Sequence, residues 1–154
     1  MEGSDLKSAR MKQAYLIRVE DVVEPSMSVE DWTDFEKGVR LFNGREHWES
    51  HEAWEQVWRR HNEPSRIFFQ GLIQLAAAYH QLQRGIYHGV VKHYNNAYFK
   101  LRQFPVQFLG VDVGALRRNI ENGLAEAERL GPERLGDFPR HLVAKVIFNR
   151  PNDG

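Results

Sequence analysis

The sequence contains no cysteine among its 154 residues. That excludes disulfides, thiolate nucleophiles and Cys-ligated zinc or iron–sulfur centres, and it suits a reducing compartment. Net charge is missing as well: 21 Lys and Arg balance 21 Asp and Glu. A chain without a basic excess is not built to live on phosphate backbones or anionic lipid, so nucleic acid is not an expected partner. No apolar stretch approaches the ~18–20 residues of a membrane span, and Met1 to Val23 lacks the hydrophobic run of a signal peptide. The expectation is a soluble, cytoplasmic protein with no membrane partner. There is no Gly-rich phosphate loop, no strand–Ser–helix elbow and no pair of Glu-x-x-His di-iron motifs. β-Branched runs of period two are almost absent. What is present is apolar mass: 42% hydrophobic residues, with nine Phe, five Tyr and four Trp. That supplies one core without a metal or disulfide to staple it.

The periodicity predicts an all-α fold, a compact multi-helix bundle of about five helices. Residues 1–28 read as an N-terminal arm, partly disordered or docked, in which Ala14 to Ile17, Val19, Val22 and Val23 could pack as a short strand or helix. Residues 29–150 read as a single bundle domain and 151–154 as a disordered tail. Ser28 or Asp31 can cap a first helix bearing Trp32, Phe35, Val39 and Phe42 at spacings of three or four. A second helix runs from about Arg45 to His61. The third, Arg66 to Arg84, is apolar almost all round and belongs in the centre, with Gly85 as its left-handed cap. A fourth spans about His88 to Arg102. After a loop through Pro105 and Phe108 to Gly110, Asp112 caps a fifth, closed by Gly131-Pro132. An apolar tail with Leu142, Val143, Val146, Ile147 and Phe148 should dock on the core.

The second helix carries the chemistry. At ~100° per residue, His47, His51, Trp54, Glu55 and Trp58 share one stripe, opposite Glu49, Glu52, Gln56 and Arg59. His51 and Glu55 thus sit one turn apart on the face that enters the core, where titratable groups must be satisfied. Three readings compete. The two side chains can be ligands of a divalent metal such as Zn, Mn or Ni. They can be a catalytic pair, Glu55 orienting the imidazole as general base. Or they form a buried hydrogen-bonded network that fixes packing, in a structural or interaction module. The His-Glu-Ala-Trp-Glu string is not the His-Glu-x-x-His protease motif, because position 55 is not the second histidine. On the third helix Gln70, Gln74, Ala77 and Gln81 line one side. If the two helices are antiparallel neighbours, Gln74 becomes a hydrogen-bond partner and His80 a third ligand. The expected site is therefore His51, Glu55 and His80, lined by Trp54, Trp58, Gln70 and Gln74, taking a metal or a small polar ligand. Arg59, Arg60, His61 and Arg66 cluster as a basic patch that equally well complements a helix C-terminus. Trp48, at the margin of the stripe, suits a homodimer interface.

The strings Phe42-Asn43, Trp48-Glu49-Ser50-His51-Glu52-Ala53-Trp54-Glu55-Gln56-Val57-Trp58, Phe68-Phe69-Gln70-Gly71-Leu72-Ile73-Gln74 and Arg84-Gly85 resemble the bacterial and archaeal family called domain of unknown function 309. The resemblance runs from about Phe35 to Leu101 and does not reach the arm. It implies a compact helical bundle of unassigned role. It also implies a metal-binding or otherwise functional element, which falls on His51, Glu55 and Trp58. Two positions depart from the family's pattern: His47, where an aromatic residue is usual, and Ile86, where asparagine often follows the glycine cap.

Overall fold

A computed structural model describes residues 16–151. Most of the predicted arm, residues 1–15, and all but the first residue of the predicted tail lie outside the described residues. The described chain is all-α, with five helices: α1 (Val29–Asn43), α2 (His47–Arg59), α3 (Ile67–Gln83), α4 (Tyr87–Leu101) and α5 (Val113–Arg134). Ser28 and Asp31, each able to cap α1, do so together. The Ser28 hydroxyl accepts from the Asp31 N–H at 3.0 Å, and the Asp31 carboxylate accepts from the Ser28 N–H at 3.1 Å. This reciprocal box satisfies two of the donors that a helix start leaves orphaned.

Helix α3 is central, as its apolar circumference requires. Phe68, Phe69, Leu72, Leu75, Ala76, Ala78 and Tyr79 are all buried, and the helix packs between α2 and α4. Its ring contacts with α1, Phe35 on Phe69 and Phe42 on Tyr79, close the layer. Gly85 takes φ 71° at the end of α3, the left-handed conformation expected of it. Asp112 caps α5 by accepting from the Ala115 N–H at 2.9 Å. Helical geometry breaks at Gly131, φ 69°, as the Gly-Pro pair predicts, but Pro132 then opens a last turn to Arg134.

The predicted loop after α4 is a small hairpin instead, β1 (Gln107–Phe108) paired antiparallel with β2 (Val111–Asp112). Leu109 and Gly110 both take positive φ at its tip, the geometry that matches strand twist in a two-residue turn. The apolar tail docks through Ala144 and Val146, both buried, with Leu142, Val143 and Phe148 half-buried, whereas Ile147, expected to dock with them, is 56% exposed. Val146 is held by the Asn43 amide, which donates to its carbonyl at 3.0 Å and accepts from its N–H at 2.7 Å. The Ala144 N–H donates to the Tyr79 hydroxyl at 3.0 Å. Within the arm, Val19–Asp21 is a 3-10 turn, neither strand nor α-helix. Bonds on either side of this turn tie the arm to the body, the Ile17 N–H donating to Gln103 and Glu24 accepting from the Leu109 N–H, but Val19 and Val23, expected to pack, are exposed. Among the described residues no helix is long and apolar enough to cross a membrane.

Candidate functional site

Helix α2 is covered by α1 on one side and α3 on the other, and this turns its stripe relative to the sequence expectation. The buried positions are His47, Ser50, Ala53, Trp54 and Val57, while His51, Glu55 and Trp58 lie half-buried along the neighbouring edge. Trp54 therefore leaves the predicted pocket. Its indole N–H donates to the Phe35 carbonyl at 3.1 Å and its ring lies against Phe35 and Phe42, so it packs α2 on α1.

The predicted pair is assembled. His51 Nε2 and Glu55 Oε1 are 3.4 Å apart, with side chains 18% and 30% exposed. The other Glu55 oxygen accepts from Arg59 at 3.2 Å. With its carboxylate neighbour at Nε2, the imidazole carries its proton there and keeps a lone pair on Nδ1. That Nδ1 is buried with no hydrogen-bond partner among the described residues. Burial pushes the His51 pKa below the usual histidine value, outweighing the pull of Glu55 and Glu52, and His80 adds to the lowering. The ring is thus neutral at neutral pH. Trp48 lies flat on it, centroids 5.0 Å apart and planes 8° off parallel.

His80 does not join His51 and Glu55 as a third ligand; its ring rests against Trp48 at 5.0 Å. Gln74 reaches a partner that the sequence did not single out. Its Oε1 lies 2.7 Å from Nδ1 of His93 on α4, so His93 Nδ1 donates and its Nε2 keeps a lone pair. Burial lowers the His93 pKa, assisted by Lys92, His51 and Lys100; the His51 contribution places the two rings in one electrostatic neighbourhood. In sequence His93 sits next to Lys92 and reads as solvated surface. Gln70 is half-buried on α3. Trp58 completes the edge: its indole N–H is buried without a partner, and the Arg66 guanidinium lies 4.5 Å over its ring.

The metal set is not built. Among the described residues no group of three or more His, Asp or Glu side chains is placed to hold a metal ion. Two facing donors, one of them already engaged by Arg59, fall short of the three protein ligands typical of a catalytic zinc site.

The basic patch resolves differently from its sequence reading. Arg60 is held by Asp31 at 2.7 Å and Asp34 at 2.8 Å, and the buried His61 has Asp31 at Nε2 and Glu63 at Nδ1. Burial pushes Asp31 up, but hydrogen bonds from Arg60, Ser28 and His61 together hold it below the usual carboxylate range. The cluster borders a cleft of about 760 Å³ walled by Glu20 to Ser28.

Residues 35–93 match the family model described as Domain of unknown function (DUF309). A comparison with curated proteins finds no match.

Proposed function

Because residues 35–93 belong to the DUF309 family, whose description assigns no activity, we propose a function from the site alone: the edge of α2 facing α3 and α4 binds a small polar ligand. The observation that carries this reading is the neutral His51 ring, with Glu55 at Nε2 and an unpartnered lone pair on Nδ1. A buried acceptor without a partner costs roughly 1–3 kcal/mol, and a ligand N–H or O–H recovers it. The Nε2 lone pair of His93 and the Gln74 amide add an acceptor and a donor in the same electrostatic neighbourhood, and the Trp58 indole N–H adds a donor two turns further along the same edge. Such a neutral imidazole with a carboxylate behind it also suits proton abstraction, so the same arrangement supports binding or base chemistry on one ligand.

The competing reading, a purely structural network, differs in its energetics. A fully buried pair loses about 3–5 kcal/mol when one partner is removed. Glu55 is 30% exposed, and pairs of that kind contribute about 0–1 kcal/mol. The test is Glu55→Gln and His51→Phe in a ligand-observed NMR screen of small amides, alcohols and amines, with ZnCl₂, MnCl₂ and NiCl₂ as separate arms. The expected result is a fragment that shifts the His51 and His93 ring resonances, bound by the wild type and lost in both variants at nearly unchanged melting temperature. Large destabilisation of Glu55→Gln without any fragment hit would return the pair to the packing network. Stoichiometric metal lost in His51→Phe would replace the organic ligand by a metal.

A further inference from the structure

A second cavity lies at the start of α2, and none of His51, Glu55 and Trp58 lines it. A cavity of about 420 Å³ opens between the start of α2, the end of α3 and the segment after α5, within the ~300–1,000 Å³ typical of small-molecule sites. Leu82, Leu135, Phe138 and Val143 form its apolar walls, and His47 and Gln83 line it with polar atoms. A neighbouring cavity of about 390 Å³ shares Arg45, Arg140 and Val143 with the first and adds His141 and Lys145. Among the described residues no Asp or Glu lines either one, in a chain where acids and bases are equal in number. Among the described residues Arg45, Arg140 and Lys145 make no ion pair; Arg45 Nη2 donates to the Arg140 carbonyl at 3.4 Å. Glu126 is close enough to His141 to feel its charge, but Arg129 holds its carboxylate at 2.7 and 2.8 Å.

Two local features show that the mouth is built at a cost. Arg45 adopts φ 64°, a left-handed conformation that strains a non-glycine residue. In that conformation its carbonyl accepts from the Gln83 amide at 3.1 Å. The same amide faces His47 Nδ1 at 3.5 Å, which leaves the N–H of the ring on Nε2, buried and without a partner.

We propose that these adjacent cavities bind an apolar-bodied oxyanion, a carboxylate or phosphate monoester whose chain lies between Leu82, Leu135, Phe138 and Val143 and whose head meets Arg45 and Arg140. Guanidinium pairs recognise both head groups through parallel N–H donors, and the apolar walls require a tail that acetate or inorganic phosphate lacks.

The experiment is isothermal calorimetry with octanoate, octyl phosphate, acetate and octylamine on the wild type, Arg45→Gly, Arg140→Gln and the double variant. Arg45→Gly keeps the fold by design, since glycine adopts φ 64° without strain, and it should melt higher than the wild type. The expected result is binding of octanoate or octyl phosphate, with octylamine and acetate at least tenfold weaker. Each single variant should weaken binding about tenfold, the effect of one lost hydrogen bond to a charged group. Whichever octyl compound binds tighter identifies the head group. The proposal falls if neither octyl oxyanion binds, if octylamine binds as well as they do, or if the double variant binds unchanged.

Discussion

Replacing His47 by phenylalanine should remove an acid-sensitive term from the stability of this protein. His47 is 2% exposed, with its ring 5.0 Å from Phe42 and 5.1 Å from Tyr79. Burial, with help from Arg45 and His80, lowers its pKa to about 4. In the unfolded chain the imidazole titrates near ~6.5. As pH falls through ~6.5 the unfolded state takes up a proton that the folded state refuses until about 4, so stability drops across that window. It is fully present above the unfolded value. Worked through linkage, the loss is about 2 kcal/mol between pH ~7.5 and pH ~5, approaching about 3 kcal/mol near pH ~4. For a chain of this size that corresponds to a melting temperature lowered by roughly 4–8 °C at pH ~5. Carboxylates and the other histidines titrate as well, so the informative quantity is the difference between wild type and His47→Phe at each pH. Any packing cost of the larger ring is independent of pH and cancels. Urea melts of both proteins at about pH 7.5 and about pH 5 should show the variant losing about 2 kcal/mol less than the wild type. Parallel losses, within about 0.5 kcal/mol, would mean that His47 is charged in the fold or reachable by water, and the argument for its neutrality would fail.

Three further substitutions probe the frame. Gly38→Ala places a Cβ 2.2 Å from Trp54 Nε1 and 2.4 Å from Cδ1; the rigid indole cannot yield without losing its bond to Phe35, so a loss of roughly 1–3 kcal/mol or more is expected in denaturant melts. Asp31→Asn removes the charge and one of the two oxygens that accept from Arg60, His61 and the Ser28 N–H and should cost about 3 kcal/mol near neutrality, the low end for a broken buried pair because Arg60 keeps Asp34. Its depressed pKa contributes stability above the unfolded value of ~3.9 that is lost as pH falls through the folded one, so the variant's acid unfolding should be shallower in a pH titration by circular dichroism. Asn43→Ala deletes both bonds to Val146; the expected loss is about 1–2 kcal/mol, with faster hydrogen exchange at the Val146 amide.

The helices were legible because each carries its own punctuation. Trp32, Phe35, Val39 and Phe42 mark the buried face of α1, and Gly85 and Asp112 stand where the chain turns. The hairpin was hidden for a physical reason: two residues per strand are too few for an alternating pattern, and Leu109 gives no sign of its positive φ. The His51–Glu55 contact follows from spacing within a single helix, so sequence could find it. His93 and Gln74 meet only through the register of α3 against α4, and one sequence does not encode that register locally. The same gap misplaced Trp54. Its period put it on the His51 stripe, but α2 is covered from two sides, so the buried face is broader than one stripe and Trp54 points to α1. Asp31, read only as a cap, also anchors Arg60 and His61 from about thirty positions away.

The bonds between Asn43 and Val146 join residues 103 positions apart. A ribosome adding ~5–20 residues per second delivers Val146 roughly 5–20 s after Asn43. During that interval the first four helices can pair while the Asn43 amide and the Tyr79 hydroxyl wait without the partners they have in the finished protein. The slot that Ala144 and Val146 come to fill stays open on the nascent chain until those residues emerge.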